Sequence, residues 1–110
     1  MNEEWKYFKL EDVELSDLGN GFFGSNLVEL DGFELTFVKG DEGSGHDFHR
    51  HGDLDEILIF LDGKCDFTVD GMDLNIKGGS LLHIPPGVDH KVRYQEKSKV
   101  LRIKIPRSGD

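Results

Sequence analysis

Apolar and polar positions alternate along much of this chain. In the run CDFTVD, Cys65, Phe67 and Val69 are apolar and the residues between them are polar. A period of two over such short runs is typical of half-buried β-strands. Four other runs alternate in the same way: FELTFVK (Phe33, Leu35, Phe37), MDLNIK (Met72, Leu74, Ile76), HKVRYQ (His90, Val92, Tyr94) and VLRIKIP (Leu101, Ile103, Ile105).

Turn residues separate the alternating runs. Asp31-Gly32, Asp62-Gly63 and Asp70-Gly71 each lie between two strand patterns, and Asn20-Gly21 is a weaker fourth case. Asp-Gly pairs supply the positive φ angles of tight hairpins, and Pro85-Pro86 cannot lie inside a central strand. We therefore predict an all-β fold of roughly seven to ten short strands, arranged as a sandwich or a small barrel.

The run EILIFL has apolar residues at both its odd and its even positions. One face of this strand must therefore lie in the core, and the other must be covered by a second sheet or by a partner subunit. On this ground we predict a homodimer.

Length and charge narrow the class of protein. The 110 residues predict a single domain over 1–110, with residues 1–25 as an N-terminal strand or arm. The formal net charge of −9, from 13 basic and 22 acidic residues, repels phosphate backbones and anionic lipids. The charged N-terminus does not resemble a signal peptide, and ILIFL is too short to span a bilayer. We expect neither nucleic acid nor membrane as a partner.

The only cysteine, Cys65, excludes an internal disulfide framework and a multi-cysteine zinc site. We expect it to be a small buried apolar residue rather than a reactive thiol. A single free thiol is compatible with a reducing compartment, and we predict a cytoplasmic protein.

Histidines and one glutamate are placed as metal ligands would be. His49 and His51 are one residue apart, so on a strand their side chains point to the same side with Cβ atoms about 6.5–7 Å apart. Two such imidazoles can meet at one ion, with nitrogen–metal distances of about 2.1 Å. The break GDLD lets the chain re-enter a strand with Glu56 facing inward, and His90 opens the strand after the Pro-Pro-Gly turn.

Three neutral nitrogens and one carboxylate suit one divalent first-row metal, namely iron, manganese, nickel, copper, cobalt or zinc. Four protein ligands on an ion that prefers six leave two positions open for water, substrate or dioxygen. Such an ion could polarise a substrate oxygen as a Lewis acid, or, if redox-active, bind substrate and dioxygen together.

The spacing of these residues resembles that of the cupin superfamily, which has two sequence motifs. The first, at residues 43–63, is met by Gly43, His49, His51, Glu56 and Gly63, and the second, at residues 79–94, by Gly79, Pro85, Gly87 and His90. The resemblance covers residues 33–105 and implies a double-stranded β-helix or jelly-roll barrel. The second motif of the family often closes with asparagine, where this chain has Tyr94, a change that affects the pocket lining and not the metal ligands.

The resemblance leaves the reaction open, because cupins of this size include dioxygenases, isomerases, decarboxylases, lyases and modules that only bind a sugar or an acid. We predict a metal-dependent enzyme, of the dioxygenase or the isomerase/lyase type, acting on a small oxygenated metabolite such as a sugar or keto acid. The alternative is a non-catalytic binding module. Glu56 and Tyr94 are the candidate catalytic residues, and His83 is a weaker acid–base candidate.

Other polar residues near the motifs have simpler interpretations. We expect neither His46 nor His83 to be a ligand, with His46 at the mouth of the site and His83 packed beside the turn. Four aspartates, Asp47, Asp53, Asp55 and Asp89, surround the ligands in sequence. If two or more of them faced the site, they would disfavour a strongly anionic substrate.

Overall fold

Ten antiparallel strands account for most of the residues that the structure describes. The computed structural model describes residues 5–107. A short 3-10 helix spans Leu10–Asp12, and the strands are β1 (Ser16–Gly19), β2 (Phe22–Leu30), β3 (Phe33–Gly40), β4 (Gly45–His49), β5 (Leu54–Asp62), β6 (Lys64–Val69), β7 (Met72–Lys77), β8 (Ser80–Ile84), β9 (His90–Tyr94) and β10 (Ser98–Pro106). The prediction of an all-β fold is confirmed. No helix within residues 5–107 has the length and apolar character needed to cross a bilayer.

The strands form two facing sheets. The larger has the order β1-β2-β3-β10-β5-β8 and the smaller the order β4-β9-β6-β7. Strand β10 lies between β3 and β5, far from both in sequence, and the chain crosses repeatedly from one sheet to the other. This is the predicted jelly-roll arrangement, and it brings the two motifs together because β4 of the first pairs with β9 of the second.

Most of the predicted hairpin turns have the expected backbone. At Asp31-Gly32 and Asp70-Gly71 both residues have positive φ, as in a type I′ turn, and Asn20-Gly21 has the same conformation. The prediction of a hairpin at Asp62-Gly63 is wrong, because only its glycine has positive φ, at 101°, and the turn joins β5 of the larger sheet to β6 of the smaller one. Asn and Asp tolerate this region better than other side chains, which is why these pairs mark turns so reliably.

The core lies between the two sheets. Its buried members share one feature, an inward-facing position on a strand: Leu58, Phe60, Cys65, Phe67, Ile76, Ile84, Val92, Tyr94 and Val100. Each fully buried large apolar side chain contributes about 1.5–3 kcal/mol. Cys65 is fully enclosed, and burial, with a smaller contribution from Asp66, raises the pKa of its thiol to about 12. Cys65 is therefore an inert core residue, as predicted.

Strand β5 faces both the core and the outside. Glu56, Leu58 and Phe60 point inward and are buried, whereas Ile57 and Ile59 lie on the outer face and are half-buried. The second sheet covers only the inner face of this strand. The prediction of a homodimer depends on this outer apolar face, which a partner subunit would cover.

The alternation in β10 identifies the strand but not its buried face. Leu101 and Ile103 lie on the outer face, and Val100, Arg102 and Lys104 face inward. The cause is the pairing with β5, where Val100 lies opposite Phe60 and Lys104 opposite Glu56. Two basic side chains thus point into the space between the sheets.

Candidate metal centre

The two motifs bring their histidines together at the junction of β4, β5 and β9. His49 is the last residue of β4 and lies directly opposite His90, the first residue of β9. Glu56 lies on β5 with its side chain inward and buried. His51 follows β4 in a loop, where its carbonyl accepts a hydrogen bond of 2.7 Å from the backbone N–H of Gly87.

The expected continuous strand through His49 and His51 is therefore wrong in detail. Strand β4 ends at His49, because the chain leaves β9 there and its next carbonyl contact is with the Pro-Pro-Gly turn. Arg50 points outward, as expected, and its guanidinium lies 3.7 Å from Asp89. The turn of the second motif, not a strand ladder, holds His51 in place.

All four predicted residues nevertheless come close together. The ring centre of His49 lies 5.1 Å from that of His51 and 4.3 Å from that of His90. The Nε2 atom of His51 is 3.2 Å from Oε2 of Glu56, and Nε2 of His90 is 3.8 Å from Oε1. The donor atoms of His51, Glu56 and His90 all lie within 4.8 Å of one another, close enough for one metal ion.

His46 belongs to the same cluster, which the sequence did not predict. Its ring centre lies 4.1 Å from that of His49, and a donor set of His46, His49 and His90 also fits within 4.8 Å. Residues three apart on a regular strand point to opposite sides. Strand β4 carries one extra residue between His46, opposite Val92, and His49, opposite His90. This bulge turns both imidazoles to the same side.

Two buried nitrogens in the cluster have no hydrogen-bond partner among residues 5–107. They are Nε2 of His51 and Nε2 of His90. His90 is fully buried, and its Nδ1 lies 3.1 Å from the carbonyl oxygen of Val88, which fixes the proton on Nδ1 and leaves the lone pair on Nε2. An unpaired buried nitrogen costs free energy unless a cation or a proton donor satisfies it. These residues fit a bound metal ion.

The imidazoles of His46 and His49 are held in the neutral form that metal ligation requires. Burial lowers the pKa of His49 to about 4, and the neighbouring His46, His90 and His51 lower it further. Burial also lowers the pKa of His46, against a hydrogen bond to the carbonyl of Asp47 that raises it. At neutral pH these rings offer lone pairs and not protons.

The cluster opens into a cavity of about 230 Å³ between the sheets. His46, His49, His51 and Glu56 line it together with apolar residues from both sheets: Phe22, Val38, Leu58, Phe67, Val92 and Val100. Pockets for drug-sized ligands measure roughly 300–1,000 Å³. The volume here suits a small metabolite.

Tyr94, the second catalytic candidate, also lines this cavity. Its ring packs edge-on against Phe22, with 5.4 Å between ring centres. Burial raises the pKa of its hydroxyl above the usual range, and the neighbouring Cys65 makes a smaller contribution in the same direction. Tyr94 therefore stays protonated and can donate a hydrogen bond to a ligand.

The structure does not bring His83 or the aspartates into the cavity. His83 lies on the outer face of β8, opposite Ile57, and its Nε2 is 2.7 Å from Oδ1 of Asp55. Arg107 binds both oxygens of the same carboxylate, at 2.7 and 2.9 Å. The hydrogen bonds from Arg107, and to a smaller extent the one from His83, lower the pKa of Asp55 to about 2. No aspartate lines the cavity within the described part of the chain.

Two inward-facing cations, Arg102 and Lys104, were missed from the sequence. The sequence does place both cations on the same face of β10 as the buried Val100. This face could be identified as the inner one only from the pairing of β10 with β5, because the opposite face, with Leu101 and Ile103, is the more apolar of the two.

Comparisons with known proteins agree with the geometry. Residues 33–103 match the family described as Cupin domain. A quercetin 2,3-dioxygenase of Bacillus subtilis is 35% identical over 63 residues, which are 57% of this chain and 19% of that protein. A Saccharolobus solfataricus protein whose name assigns it provisionally to the dioxygenases is 27% identical over 101 residues, which are 91% of this chain and 26% of that protein.

The matched segments thus span about a fifth and about a quarter of the two relatives. Among solved structures, KdgF from Halomonas sp. aligns with a TM-score of 0.85 at 20% identity, over 97% of this chain and 98% of that one. Identity at this level supports the shared fold.

Proposed function

The chain belongs to the cupin domain family, and on that premise we propose that it is a metal-dependent enzyme acting on a small oxygenated metabolite. His49, His51, Glu56 and His90 would hold one divalent transition metal. The two relatives favour a dioxygenase, and an isomerase or lyase is the other reaction type that the same ligands permit.

The observation that carries this proposal is a pair of buried nitrogens without a hydrogen-bond partner, Nε2 of His51 and Nε2 of His90, which lie 3.2 and 3.8 Å from the carboxylate oxygens of Glu56. Two imidazole nitrogens that make no hydrogen bond and a carboxylate at these distances satisfy one another poorly without a cation between them. A first-row divalent ion satisfies all three. His49, the last residue of β4, shares a second donor group with His46 and His90, and on that ground we propose it as the fourth ligand.

When bound, the metal would supply Lewis acidity at the substrate oxygen or, if redox-active, reactivity towards dioxygen. The chain supplies the surroundings. Tyr94 keeps its proton and can donate a hydrogen bond to a ligand, while Leu58, Phe67 and Val92 give the cavity an apolar wall. The carboxylate of Glu56 is the one acidic group that lines the cavity within residues 5–107, and it would accept a substrate proton if it left the metal.

A non-catalytic binding module is the second candidate. It is favoured by the small number of acid–base groups that line the cavity among the described residues: the histidine cluster, Glu56, Tyr94 and the cations of β10. His83, the extra acid–base candidate, lies outside. Such a module would hold a small ligand at the metal and release it unchanged.

Turnover separates these two candidates. The metal-loaded protein is incubated with sugars, keto acids and thiol acids, with and without oxygen, and products are identified by mass spectrometry and oxygen uptake. The proposal expects turnover of at least one compound, and its loss in His51→Ala. A ligand that binds tightly and is recovered unchanged under all conditions would favour the binding module.

We also propose that two chains associate through the outer face of the larger sheet. Ile57, Ile59 and Leu101 are half-buried there, and Leu81 beside them is 64% exposed. Apolar side chains clustered on one sheet face are typical of an interface.

A cytoplasmic location is proposed on the single buried thiol of Cys65, and fractionation of the cells that make the protein tests it.

A further inference from the structure

A basic side chain without a partner faces the cavity. Arg102 lies on β10 between the inward-facing Val100 and Lys104, and it lines the cavity together with Lys104. Its Nε is buried and has no hydrogen-bond partner among residues 5–107. We propose that Arg102 binds an oxyanion, a carboxylate or a phosphate, on the small molecule that enters this cavity.

No carboxylate of the described chain forms an ion pair with Arg102. None of the ion pairs within residues 5–107 includes it, and neither does the one cation–π contact, which joins Lys91 to Phe48. The guanidinium cannot lose its charge in a protein. A half-buried, unpaired guanidinium with an enclosed N–H is costly to the folded state, and a bound anion removes that cost.

The neighbours of Arg102 leave it free for a ligand. In the sheet it lies between Thr36 on β3 and Leu58 on β5. The hydroxyl of Thr36 donates to Oδ1 of Asn26, and Leu58 offers no polar atom. A planar fork of N–H donors beside an apolar surface matches the two oxygens of a carboxylate or phosphate.

The charge inside the cavity is opposite to that of the whole protein. Arg102 and Lys104 are basic, and Glu56 is the one acid that lines the cavity in the described residues. Asp55 is bound to Arg107, and Asp89 lies beside Arg50. The aspartates would disfavour an anionic substrate only if two or more of them faced the site, and none of them lines the cavity in the described residues. A bound divalent metal would make the cavity more positive still.

This inference deepens the proposed function and rests on it, since it names the substrate class for the same cavity. One end of the substrate, the oxyanion, is held by Arg102, and an oxygen elsewhere on the molecule faces the metal ligands. A cavity of about 230 Å³ limits such a molecule to a small organic acid or a small phosphate.

The test measures binding with pyruvate, inorganic phosphate and the neutral isostere pyruvamide, each titrated into metal-free and zinc-loaded protein. Calorimetry gives the affinity, and the ¹⁵N–¹H resonance of Arg102 Nε reports the contact directly. Arg102→Gln removes the charge and Lys99→Gln is its control, because Lys99 is an exposed cation of the same strand outside this cavity.

We expect at least one of the two anions to shift the Nε resonance, and its affinity to fall roughly tenfold or more in Arg102→Gln but not in Lys99→Gln. Pyruvamide should bind at least roughly tenfold more weakly than pyruvate if carboxylates are the class. Binding of phosphate alone would assign the phosphate class. Equal affinity of wild type and Arg102→Gln for both anions, or no binding of either anion, would overturn the inference.

The metal content of each protein separates this result from the proposed metal centre. Arg102→Gln should keep the wild-type metal content, since Arg102 is not a ligand. Should Arg102→Gln fail to fold, Arg102→Lys keeps the charge, loses the fork and is expected to show intermediate affinity. A wild type that binds no metal, yet binds an anion through Arg102 when metal-free, would refute the metal centre and leave this inference standing.

Discussion

The Nε2 atom of His51 lies 3.2 Å from Oε2 of Glu56, although the two atoms are not aligned for a hydrogen bond. Glu56 is fixed by β5, but His51 lies in a loop whose position depends on the turn after β8. There the N–H of Gly87 donates to the carbonyl of His51. The second motif therefore positions a residue of the first, in addition to supplying His90.

This link makes the turn glycine a functional position as well as a structural one. Gly87 has φ of 79°, and a Cβ built on it meets no atom within 4 Å, so substitution strains the backbone without a clash. Gly71 has φ of 78° and equally open surroundings, and its turn bonds to the backbone of Asp89 rather than to His51. Gly87→Val and Gly71→Val should each lose about 1–3 kcal/mol of unfolding free energy in urea. Only Gly87→Val should also lower metal affinity. Equal metal affinity of the two variants would show that the turn does not position His51.

The ring of Tyr94 occupies the space that a side chain at residue 40 would fill, and Gly40 leaves that space free. A Cβ on Gly40 would lie 2.5 Å from the Tyr94 ring, which must move to admit it. Gly40→Ala is expected to reduce the unfolding free energy by about 1–3 kcal/mol. In a Tyr94→Leu background the same substitution should cost clearly less, because the clashing ring is gone. Urea denaturation of the four proteins gives this coupling, and strictly additive losses would contradict the contact.

The stability of the metal-free protein should fall as the pH is lowered. The pKa of His49 is about 4 in the folded state against an ordinary 6.5, chiefly because of burial. Between these values the unfolded chain binds a proton that the folded chain does not, so protonation favours unfolding. His46 acts in the same direction.

The contribution of His49 is isolated by comparing wild type with His49→Gln. Urea denaturation of both at about pH 7 and about pH 5 measures the pH dependence, and the loss on acidification should be smaller in the variant. Parallel pH dependences in the two proteins would show that His49 titrates normally in the folded state.

The proposed dimer gives a prediction about mass. Sedimentation should show twice the chain mass of 12.4 kDa. Leu81→Glu should dissociate the dimer, because Leu81 is 64% exposed beside the outer face of β5. Met72→Glu is the control, since Met72 is 67% exposed but lies on β7 of the other sheet. A monomeric wild type, or a dimer unaffected by Leu81→Glu, would contradict this interface.

Local sequence patterns were sufficient for the strands, the turns and the approach of the four candidate ligands. Alternation and Asp-Gly pairs act over a few residues, and the spacing of the motifs encodes a shared architecture. These signals do not depend on which strands pair at a distance.

The features that local patterns missed depend on long-range pairing. The bulge in β4 that turns His46 to the side of His49 exists only relative to β9. The inward direction of Arg102 is set by its pairing with Leu58, although Leu101 and Ile103 form the more apolar face. A shift of one residue exchanges the two faces of a strand, so such features cannot be read from the strand alone.

The metal content of the ligand variants tests the central claim most directly. Protein purified without chelator or affinity nickel is analysed by mass spectrometry of its elements, for wild type, His51→Ala, Glu56→Gln and the outer-face control His83→Ala. We predict one divalent first-row metal per chain in wild type and His83→Ala, a loss of roughly tenfold or more in affinity for His51→Ala, and a smaller loss for Glu56→Gln. Equal occupancy in all four proteins, or no binding by wild type on titration with iron, manganese, zinc, nickel, copper or cobalt, would contradict the account.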